Sequence, residues 1–476
     1  MKYVFPFRYI PRDSRIAIYG AGRVGQEYLW QVRETQYANV VCMVDVQPEE
    51  YRELDIHVIC PSELIRQKVD YVVIAMASEN MANDVKKNLA EMGISPTQIV
   101  FKRLRPTDPS IVRSPKSIVA EDTLAFCKKE CIPMAVRIGG GFGDLIVCKR
   151  LIEELLAWDD DLRVDVFVAP HQVQFMENLL AGSPKIGRVV GNMDQFRALQ
   201  DRYVAAFSFG IDLDVEACHT ERILEKKQLC SLLEAIKDAD TAYGHKLYGM
   251  LAYVHYGRCK KDGLSRYTAY NRYPGFRVTD YRTKVPLDHA AGVRFQEDFQ
   301  SVPRYITINY GWDMPEGRTS SQPQAKVWPF AYWKQLVQQL KEAWPDVAIV
   351  QTGAKGFPHV PGCDRYEQGH DWNYVKWLLK ESLLHIDIEG GLVHLATQLG
   401  TKCIVLFGPS PMQYYAYPDN INLRAGTCHD CYCLDGDFFS CYLRQEQPEC
   451  MRAITPEMVA KAAQRYFESI ENGQER

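Results

Sequence analysis

A glycine-rich turn followed by an aspartate is the first candidate for catalysis in this sequence. Residues 137–144 read RIGGGFGD, between an apolar segment and a helical pattern. Glycines at Gly140, Gly141 and Gly143 would let a substrate approach the backbone closely. Asp144 would lie in the first helical turn, where the helix dipole keeps a carboxylate ionised. Such a carboxylate can take a proton from an attacking hydroxyl; the alternative is that Asp144 only caps the helix.

A second glycine pattern lies near the N-terminus. Gly20, Gly22 and Gly25 form G-x-G-x-x-G between an apolar strand and a helix, and Asp45 ends the next strand. In a dinucleotide site the glycines let the pyrophosphate approach the helix N-terminus, and the acid binds ribose hydroxyls. The pattern predicts either a bound nucleotide or nucleotide sugar, or an empty structural domain that keeps the same turn.

Five cysteines near the C-terminus form the pattern C-x2-C-x-C-x7-C-x8-C, from Cys428 to Cys450. Four thiolates at this spacing can hold a tetrahedral zinc or iron ion and so stabilise a loop. The predicted ligands are Cys428, Cys431, Cys441 and Cys450, with Cys433 as the alternate. A metal there would be structural, and the alternative is a set of free thiols.

Three runs of alternating strand and helix patterns organise the chain, which indicates an α/β protein with parallel sheets. The segment from about 215 to 300 is rich in Tyr, Arg and His, and its pattern does not divide into elements. The predicted parts are a Rossmann-like domain at 1–104, a linker at 105–130, an N-terminal lobe at 131–300, a C-terminal lobe at 301–465 and a polar tail at 466–476.

Composition excludes several classes of protein. With 46% hydrophobic and 24% charged residues among 476, the chain has the composition of a globular protein of two or three domains. A net charge of −4 gives no sign of nucleic-acid binding. No apolar run reaches the roughly 18 residues that a membrane helix needs, and the first residues do not resemble a signal peptide. We therefore expect a cytoplasmic protein.

Three C-terminal segments, together with the turn at 137–144, carry a family resemblance. They read KVWP from Lys326, EGGLVHLA from Glu389, and FGPS at 407–410. In this order the motifs resemble glycosyltransferase family 9, the heptosyltransferases of lipopolysaccharide assembly, over roughly 132–465. The resemblance implies a GT-B fold, in which two Rossmann-like lobes flank the active site; here a small Rossmann-like domain with a parallel sheet precedes them.

The family resemblance also implies roles for residues. Asp144 matches the catalytic base, and Lys326 matches the lysine that neutralises the donor phosphates. Gly390 and Gly391 match the helix start that holds the pyrophosphate, and His394 lies one turn further on. The implied reaction is an inverting transfer from a nucleotide-diphosphate sugar, commonly ADP-heptose, without an obligatory metal or cofactor.

Glu389 departs from the family pattern, which usually has Asp in contact with the donor. The extra methylene predicts a different sugar or pose. Each of these residues also has a structural alternative: Lys326 could be a solvated surface lysine, His394 a core histidine and Glu389 a helix cap. The matching order of motifs across both lobes favours the functional interpretation.

Two other functions compete with the transferase. One is an NAD-dependent oxidoreductase acting on a nucleotide sugar, but no catalytic His or Lys pattern follows the N-terminal fingerprint. The other is a non-catalytic nucleotide-sugar-binding protein with a GT-B fold. The expected partners of a transferase are the donor and a glycan, lipid-linked or protein acceptor, with no nucleic acid. The family's acceptors also suggest peripheral association with the inner membrane face, and a homo-oligomer stays open.

Overall fold

The computed structural model describes residues 3–104, 131–219, 221, 223–243, 252–310, 325–434 and 440–472, with the backbone alone for 237–243. The predicted linker at 105–130 lies outside these residues. The described chain forms two compact units. Unit 1 comprises 3–104, 239–243, 252–263 and 432–434, and unit 2 comprises the remaining described residues.

Unit 1 is built on a five-stranded parallel sheet. Its strands are β1 (Arg15–Tyr19), β2 (Asn39–Val44), β3 (Val58–Ile59), β4 (Tyr71–Ile74) and β5 (Ile99–Val100). The order is β3-β2-β1-β4-β5, and every pairing is parallel. Strand order therefore reverses between β1 and β4, which is where Rossmann-like sheets bind ligands.

Three helices of unit 1 are α1 (Arg23–Thr35), α2 (Glu79–Glu91) and α7 (Ala252–Lys261). Helix α7 packs on α1 so closely that a methyl group on Gly257 would lie 2.5 Å from Cα of Thr35. Arg258 of α7 also pairs with Glu34 of α1 at 3.3 Å. The prediction that 131–300 form one lobe is therefore wrong for 252–263. These residues bury apolar side chains against the N-terminal domain.

The N-lobe is the first half of unit 2, and its sheet has the order β10-β9-β6-β7-β8. Only β10 runs antiparallel to its neighbour. Its strands are β6 (Ile132–Ile138), β7 (Leu162–Phe167), β8 (Ile186–Val190), β9 (Ala205–Phe209) and β10 (Leu213–Cys218). Its helices are α3 (Phe142–Leu156), α4 (Val173–Leu180), α5 (Met193–Leu199) and α6 (Lys227–Tyr243), the last of which ends in unit 1.

The C-lobe is the second half of unit 2, with a wholly parallel sheet in the order β13-β12-β11-β14-β15-β16. Its strands are β11 (Tyr305–Asn309), β12 (Ala348–Gly353), β13 (Arg365–Gln368), β14 (His385–Ile388), β15 (Cys403–Leu406) and β16 (Ile421–Leu423). Its helices are α8 (His289–Phe299), α9 (Phe330–Ala343), α10 (Trp372–Lys380), α11 (Gly391–Gln398), α12 (Met412–Tyr415), α13 (Glu449–Arg452) and α14 (Pro456–Glu471).

The prediction of a polar tail at 466–476 is wrong for 466–471, which belong to helix α14. The helix continues to Glu471, and both Tyr466 and Phe467 are buried in the core of the C-lobe. Only 472 follows the helix within the described residues. None of the helices in the described part of the chain combines the length and the apolar character that a membrane crossing needs.

Candidate active site

The turn that joins β6 to α3 requires glycine at position 140. Gly140 has φ +109°, and a methyl group there would lie 2.2 Å from Oδ2 of Asp144. Gly141 precedes the helix and donates its N–H to the same oxygen at 3.0 Å. Gln172 holds the turn by donating to the carbonyl of Gly140 at 2.8 Å. Asp144 therefore caps the first turn of α3, as the structural alternative proposed.

The second oxygen of Asp144 has a different partner. Nη2 of Arg266 donates to Oδ1 at 3.1 Å. The arginine side chain is 1% exposed, whereas the side chain of Asp144 is 31% exposed. The carboxylate of Asp144 is therefore partly exposed to solvent, and it is hydrogen-bonded on its buried side to the guanidinium of Arg266.

The C-lobe presents a matching turn where β14 ends. Glu389 and Gly390 follow the strand, and α11 begins at Gly391. The first N–H groups of such a helix have no partner within the helix and carry partial positive charge. A methyl group on Gly391 would lie 3.3 Å from Cβ of Phe142 and 3.4 Å from the backbone N of Gly143. The N-terminal ends of α3 and α11 therefore face each other.

Lys326 and Glu389 form a buried ion pair, with Nζ 2.5 Å from Oε2. The two side chains are 8% and 7% exposed. Ser410 donates to the same carboxylate oxygen at 2.7 Å. Burial by itself raises the pKa of Glu389, but Lys326 and His394 outweigh it and hold that pKa well below its usual range. The alternative that Lys326 is a solvated surface lysine is therefore excluded, and its role in donor binding stays a prediction.

His394 lies between the two turns. Its Nδ1 is within 2.9 Å of the hydroxyls of both Tyr267 and Tyr417. Its Nε2 faces Oε1 of Glu389 at 3.8 Å. A methyl group on Gly143 would lie 2.4 Å from Cδ2 of the imidazole. The ring is buried and oriented by two phenols, and it fills the space next to the glycine that precedes Asp144.

The N-terminal glycine turn, in unit 1, has the geometry of its motif. Gly20 has φ +106°, and a methyl group on Gly25 would lie 1.8 Å from the carbonyl oxygen of Gly20. Gly22 is the N-cap of α1. Asp45 accepts a hydrogen bond from the backbone N–H of Ala21 at 2.8 Å. The acid therefore contacts the turn itself, and whether it also binds a ribose stays a prediction.

The C-terminal cysteines gather around Cys450. A hydrogen bond with Cys428 raises the pKa of the Cys450 thiol most, followed by burial and by the charges of Cys431 and Cys441. Cys433, the alternate ligand, belongs to unit 1 and lies 3.8 Å from the hydroxyl of Tyr256. Within the described residues, no group of three or more His, Cys, Asp or Glu side chains has an arrangement that could hold a metal ion.

Three residues at this site have no signal in the sequence. Arg266 and Tyr267 lie in the segment whose pattern does not divide into elements. Trp372 of the C-lobe packs on Phe142, with ring centroids 4.6 Å apart, and on Phe175 at 4.4 Å. All of these contacts join residues that are far apart in the chain, so periodicity and spacing could not reveal them.

Two α/β lobes with largely parallel sheets, preceded by a small Rossmann-like domain with a parallel sheet, define an α/β protein of the GT-B fold. Residues 12–100 match the model of a family described as C2185-like, N-terminal. No curated protein sequence matches the chain.

Three glycosyltransferases are among the solved structures that the chain matches. The ADP-heptose LPS heptosyltransferase II of E. coli is 14% identical, with a TM-score of 0.44 over 71% of this chain and 99% of that chain. A family 9 glycosyl transferase from Veillonella parvula is 11% identical, with a TM-score of 0.44 over 71% and 97%. The iron-containing dodecameric glycosyltransferase TibC from enterotoxigenic E. coli is 16% identical, with a TM-score of 0.43 over 72% and 80%.

Proposed function

We propose that this protein is an inverting glycosyltransferase that uses a nucleotide-diphosphate sugar. The observation that supports this most is the close approach of the N-terminal ends of α3 and α11. A methyl group on Gly391 would lie 3.3 Å from Cβ of Phe142. One end carries a carboxylate that is partly open to solvent, Asp144, and the other has a buried lysine beside it, Lys326. The candidate base on α3 therefore lies close to the N-terminal end of α11, which is the candidate binding site for the anionic diphosphate.

The donor's diphosphate binds at the start of α11 in this proposal. Backbone N–H groups at Gly390 and Gly391 point at its oxygens, because helix N-termini bind phosphate. Lys326 neutralises the charge that grows on the leaving diphosphate. An ammonium group has three N–H donors, so Lys326 can contact a phosphate oxygen while it stays paired with Glu389.

Asp144 is the proposed catalytic base. It takes the proton of the acceptor hydroxyl as that oxygen attacks the anomeric carbon. The bond from that carbon to the diphosphate oxygen breaks on the opposite side, and the nucleoside diphosphate leaves with the electron pair. A single displacement of this kind inverts the anomeric configuration. The proposed chemistry assigns no role to a metal or another cofactor.

The donor sugar is proposed to be heptose carried on ADP, on the strength of the motif order in the sequence. Glu389 in place of the usual Asp extends the carboxylate by one methylene at this position, and the sugar or its pose would adjust to it. The acceptor is a hydroxyl of a glycan, of a lipid-linked glycan or of a protein. Peripheral membrane association and a homo-oligomer are further proposals for the same enzyme.

The proposal is tested by transfer assays with Asp144→Asn. Asp194→Asn is the matched control, because Asp194 also lies in the first turn of a helix and pairs with an arginine, but is 53% exposed on α5. We expect wild-type protein to release nucleoside diphosphate from a nucleotide sugar with inversion. Asp144→Asn should lower the rate by about 10²–10⁴-fold and keep donor affinity, while Asp194→Asn keeps both. Unchanged transfer in Asp144→Asn would remove Asp144 from the mechanism.

A further inference from the structure

Arg266 connects the two lobes of unit 2 beneath the candidate base. Its backbone N–H donates to the carbonyl of Tyr414, in α12 of the C-lobe, at 2.7 Å. Its side chain reaches the N-lobe, where Nη2 donates to Asp144 at 3.1 Å and lies 4.0 Å from Sγ of Cys148. The residue is fully buried.

The guanidinium of Arg266 is sparsely bonded for a buried cation. Nε and Nη1 are buried and make no hydrogen bond within the part of the chain that the structure describes. Buried donors that lack acceptors are costly, and a buried ion pair often stabilises a fold no more than apolar residues of similar volume. Asp144, being 31% exposed, is also reached by water and does not need the arginine to stay solvated. The Arg266–Asp144 pair is therefore expected to contribute little to the free energy of unfolding.

Asp144 is the carboxylate that pairs with Arg266. Cys148 on α3, Tyr270, and Tyr414 on α12 also act electrostatically on the guanidinium. Burial raises the pKa of Cys148 to about 12 and that of Tyr270 well above its usual value, so both are neutral at pH 7. Burial opposes the charge on Arg266, but Tyr414 and Asp144 outweigh it and raise the arginine pKa. A permanent cation therefore contacts one oxygen of the candidate base.

We propose that Arg266 is a positioning residue for the base: its guanidinium on Oδ1, together with the Gly141 N–H on Oδ2, fixes the carboxylate of Asp144 with its solvent-facing edge toward the acceptor hydroxyl. This inference rests on the proposed function. One N–H is bound to each oxygen, at 3.1 and 3.0 Å. Each carboxylate oxygen has two lone pairs, so each keeps one acceptor position for the proton of the acceptor.

Arg266 limits the motion of the Asp144 carboxylate, because its guanidinium holds Oδ1 while the Gly141 N–H holds Oδ2. Loss of the fixed geometry lowers kcat, because an unheld carboxylate spends less time in line with the acceptor. KM for the donor should change little, since Arg266 contacts no group proposed to bind the diphosphate.

The test compares Arg266→Met, Arg266→Lys and wild-type protein, with Arg188→Met as the control. Arg188 also pairs with an aspartate, Asp165, at 2.9 Å, but that aspartate is 1% exposed and lies outside the site. We expect Arg266→Met to lower kcat at least about tenfold with KM within about threefold. Arg188→Met should lower the melting temperature more and leave kcat and KM within about twofold of wild type.

Arg266→Lys separates charge from geometry. A lysine keeps a positive charge near Asp144 but lacks the planar fork of a guanidinium. We therefore expect kcat to stay low in Arg266→Lys, with KM for the donor again close to the wild-type value. If Arg266→Met fails to fold, Arg266→Lys still decides, because wild-type kcat in the lysine variant would overturn the positioning role.

A direct structural comparison keeps this inference distinct from the proposed function. Crystal structures of wild-type protein and of Arg266→Met show where the Asp144 carboxylate points in each. If wild-type protein transfers no sugar, the proposed function fails, and the two structures still report on Arg266. A carboxylate that leaves its wild-type position in Arg266→Met supports the positioning role. A carboxylate that keeps its wild-type position overturns the inference.

Discussion

Gly143 of the N-lobe and His394 of the C-lobe touch where the two glycine turns of unit 2 meet. A methyl group on Gly143 would lie 2.4 Å from Cδ2 and 2.9 Å from Nε2 of the imidazole. The ring cannot easily move away, because Tyr267 and Tyr417 each lie 2.9 Å from its Nδ1. The fit of these two residues therefore sets the spacing between the helix that carries Asp144 and the helix that begins at Gly391.

Gly143→Ala should disrupt this spacing. A contact of 2.4 Å with a ring held by two phenols forces a shift of the backbone or of the imidazole. A misplacement of about 1 Å can cost about 10²-fold in rate, so we expect kcat to fall by at least about tenfold. The measurement is steady-state kinetics of sugar transfer.

Gly139→Ala is the matched control for that substitution. A methyl group on Gly139 would meet nothing within 4 Å, although the residue lies in the same turn. We expect kcat within about twofold of wild type. Equal losses in both alanine variants would show that any side chain in the turn is harmful, and the specific contact with His394 would lose its role.

Breaking the buried Lys326–Glu389 pair should destabilise the fold. Lys326→Met leaves a carboxylate that is 7% exposed without its cation, and removing one partner of a buried pair lowers the free energy of unfolding by about 3–5 kcal/mol. Lys326→Met/Glu389→Gln should recover at least half of that loss, because the neutral amide keeps a polar group beside Ser410. Denaturant unfolding measures both values.

An exposed pair provides the comparison for these stability values. Arg304 and Asp346 pair on the surface of the C-lobe, with side chains 54% and 62% exposed. Arg304→Met should change the free energy of unfolding by less than about 1 kcal/mol, because water screens such pairs. A loss in Lys326→Met no larger than in Arg304→Met would contradict the buried ion pair.

Much of the scaffold was predictable because its signals are local. Alternating strand and helix patterns indicated three α/β runs, and glycines next to strand ends indicated the turns of Asp144 and Gly391. The partners of these residues were not predictable. Lys326 and Glu389 are 63 residues apart, and Arg266 lies 122 residues beyond Asp144. Only the tertiary fold brings such pairs together, and a segment without periodicity gives no sign of where its side chains point.

Helix α7 was predicted to belong to the lobe at 131–300 but lies in unit 1. Its place also depends on contacts that a local sequence pattern does not reveal. Its sequence, AYVHYGRCKK, has no sharp apolar stripe, and both Tyr253 and Val254 are buried although they are consecutive. A helix buried on more than one side gives a weak amphipathic pattern. Its place beside α1 follows from contacts such as Gly257 against Thr35, which no local pattern encodes.

Lys376 should make the stability of the C-lobe depend on alkaline pH. This lysine is 1% exposed and donates to the carbonyl of Pro286 at 2.9 Å. Burial lowers its pKa to about 8, below the value of about 10.4 in an unfolded chain. Between these values the unfolded state binds more protons, so the free energy of unfolding rises with pH, by up to about 3 kcal/mol in total.

The check for Lys376 is denaturant unfolding from pH 7.5 to 10.5 for wild-type protein and Lys376→Met. The methionine variant should lose this component of the rise, because it has no proton to release. Lys334→Met, on the exposed side of α9, should keep it. Parallel curves for wild type and Lys376→Met would show that the lysine pKa is not lowered in the folded protein.

Binding of a nucleotide-diphosphate sugar beside Lys326 is tested most directly by isothermal titration calorimetry on the full chain. The ligands are ADP-heptose, other ADP-, UDP- and GDP-sugars, and NAD, titrated into wild type, Lys326→Met and the surface control Lys334→Met. We expect one class of nucleotide sugar to bind, with ADP-heptose the first candidate. Affinity should fall about 10- to 100-fold in Lys326→Met, the loss of a charged hydrogen bond, and stay unchanged in Lys334→Met. Binding of NAD alone, or equal affinity in Lys326→Met, would contradict a donor site at this turn.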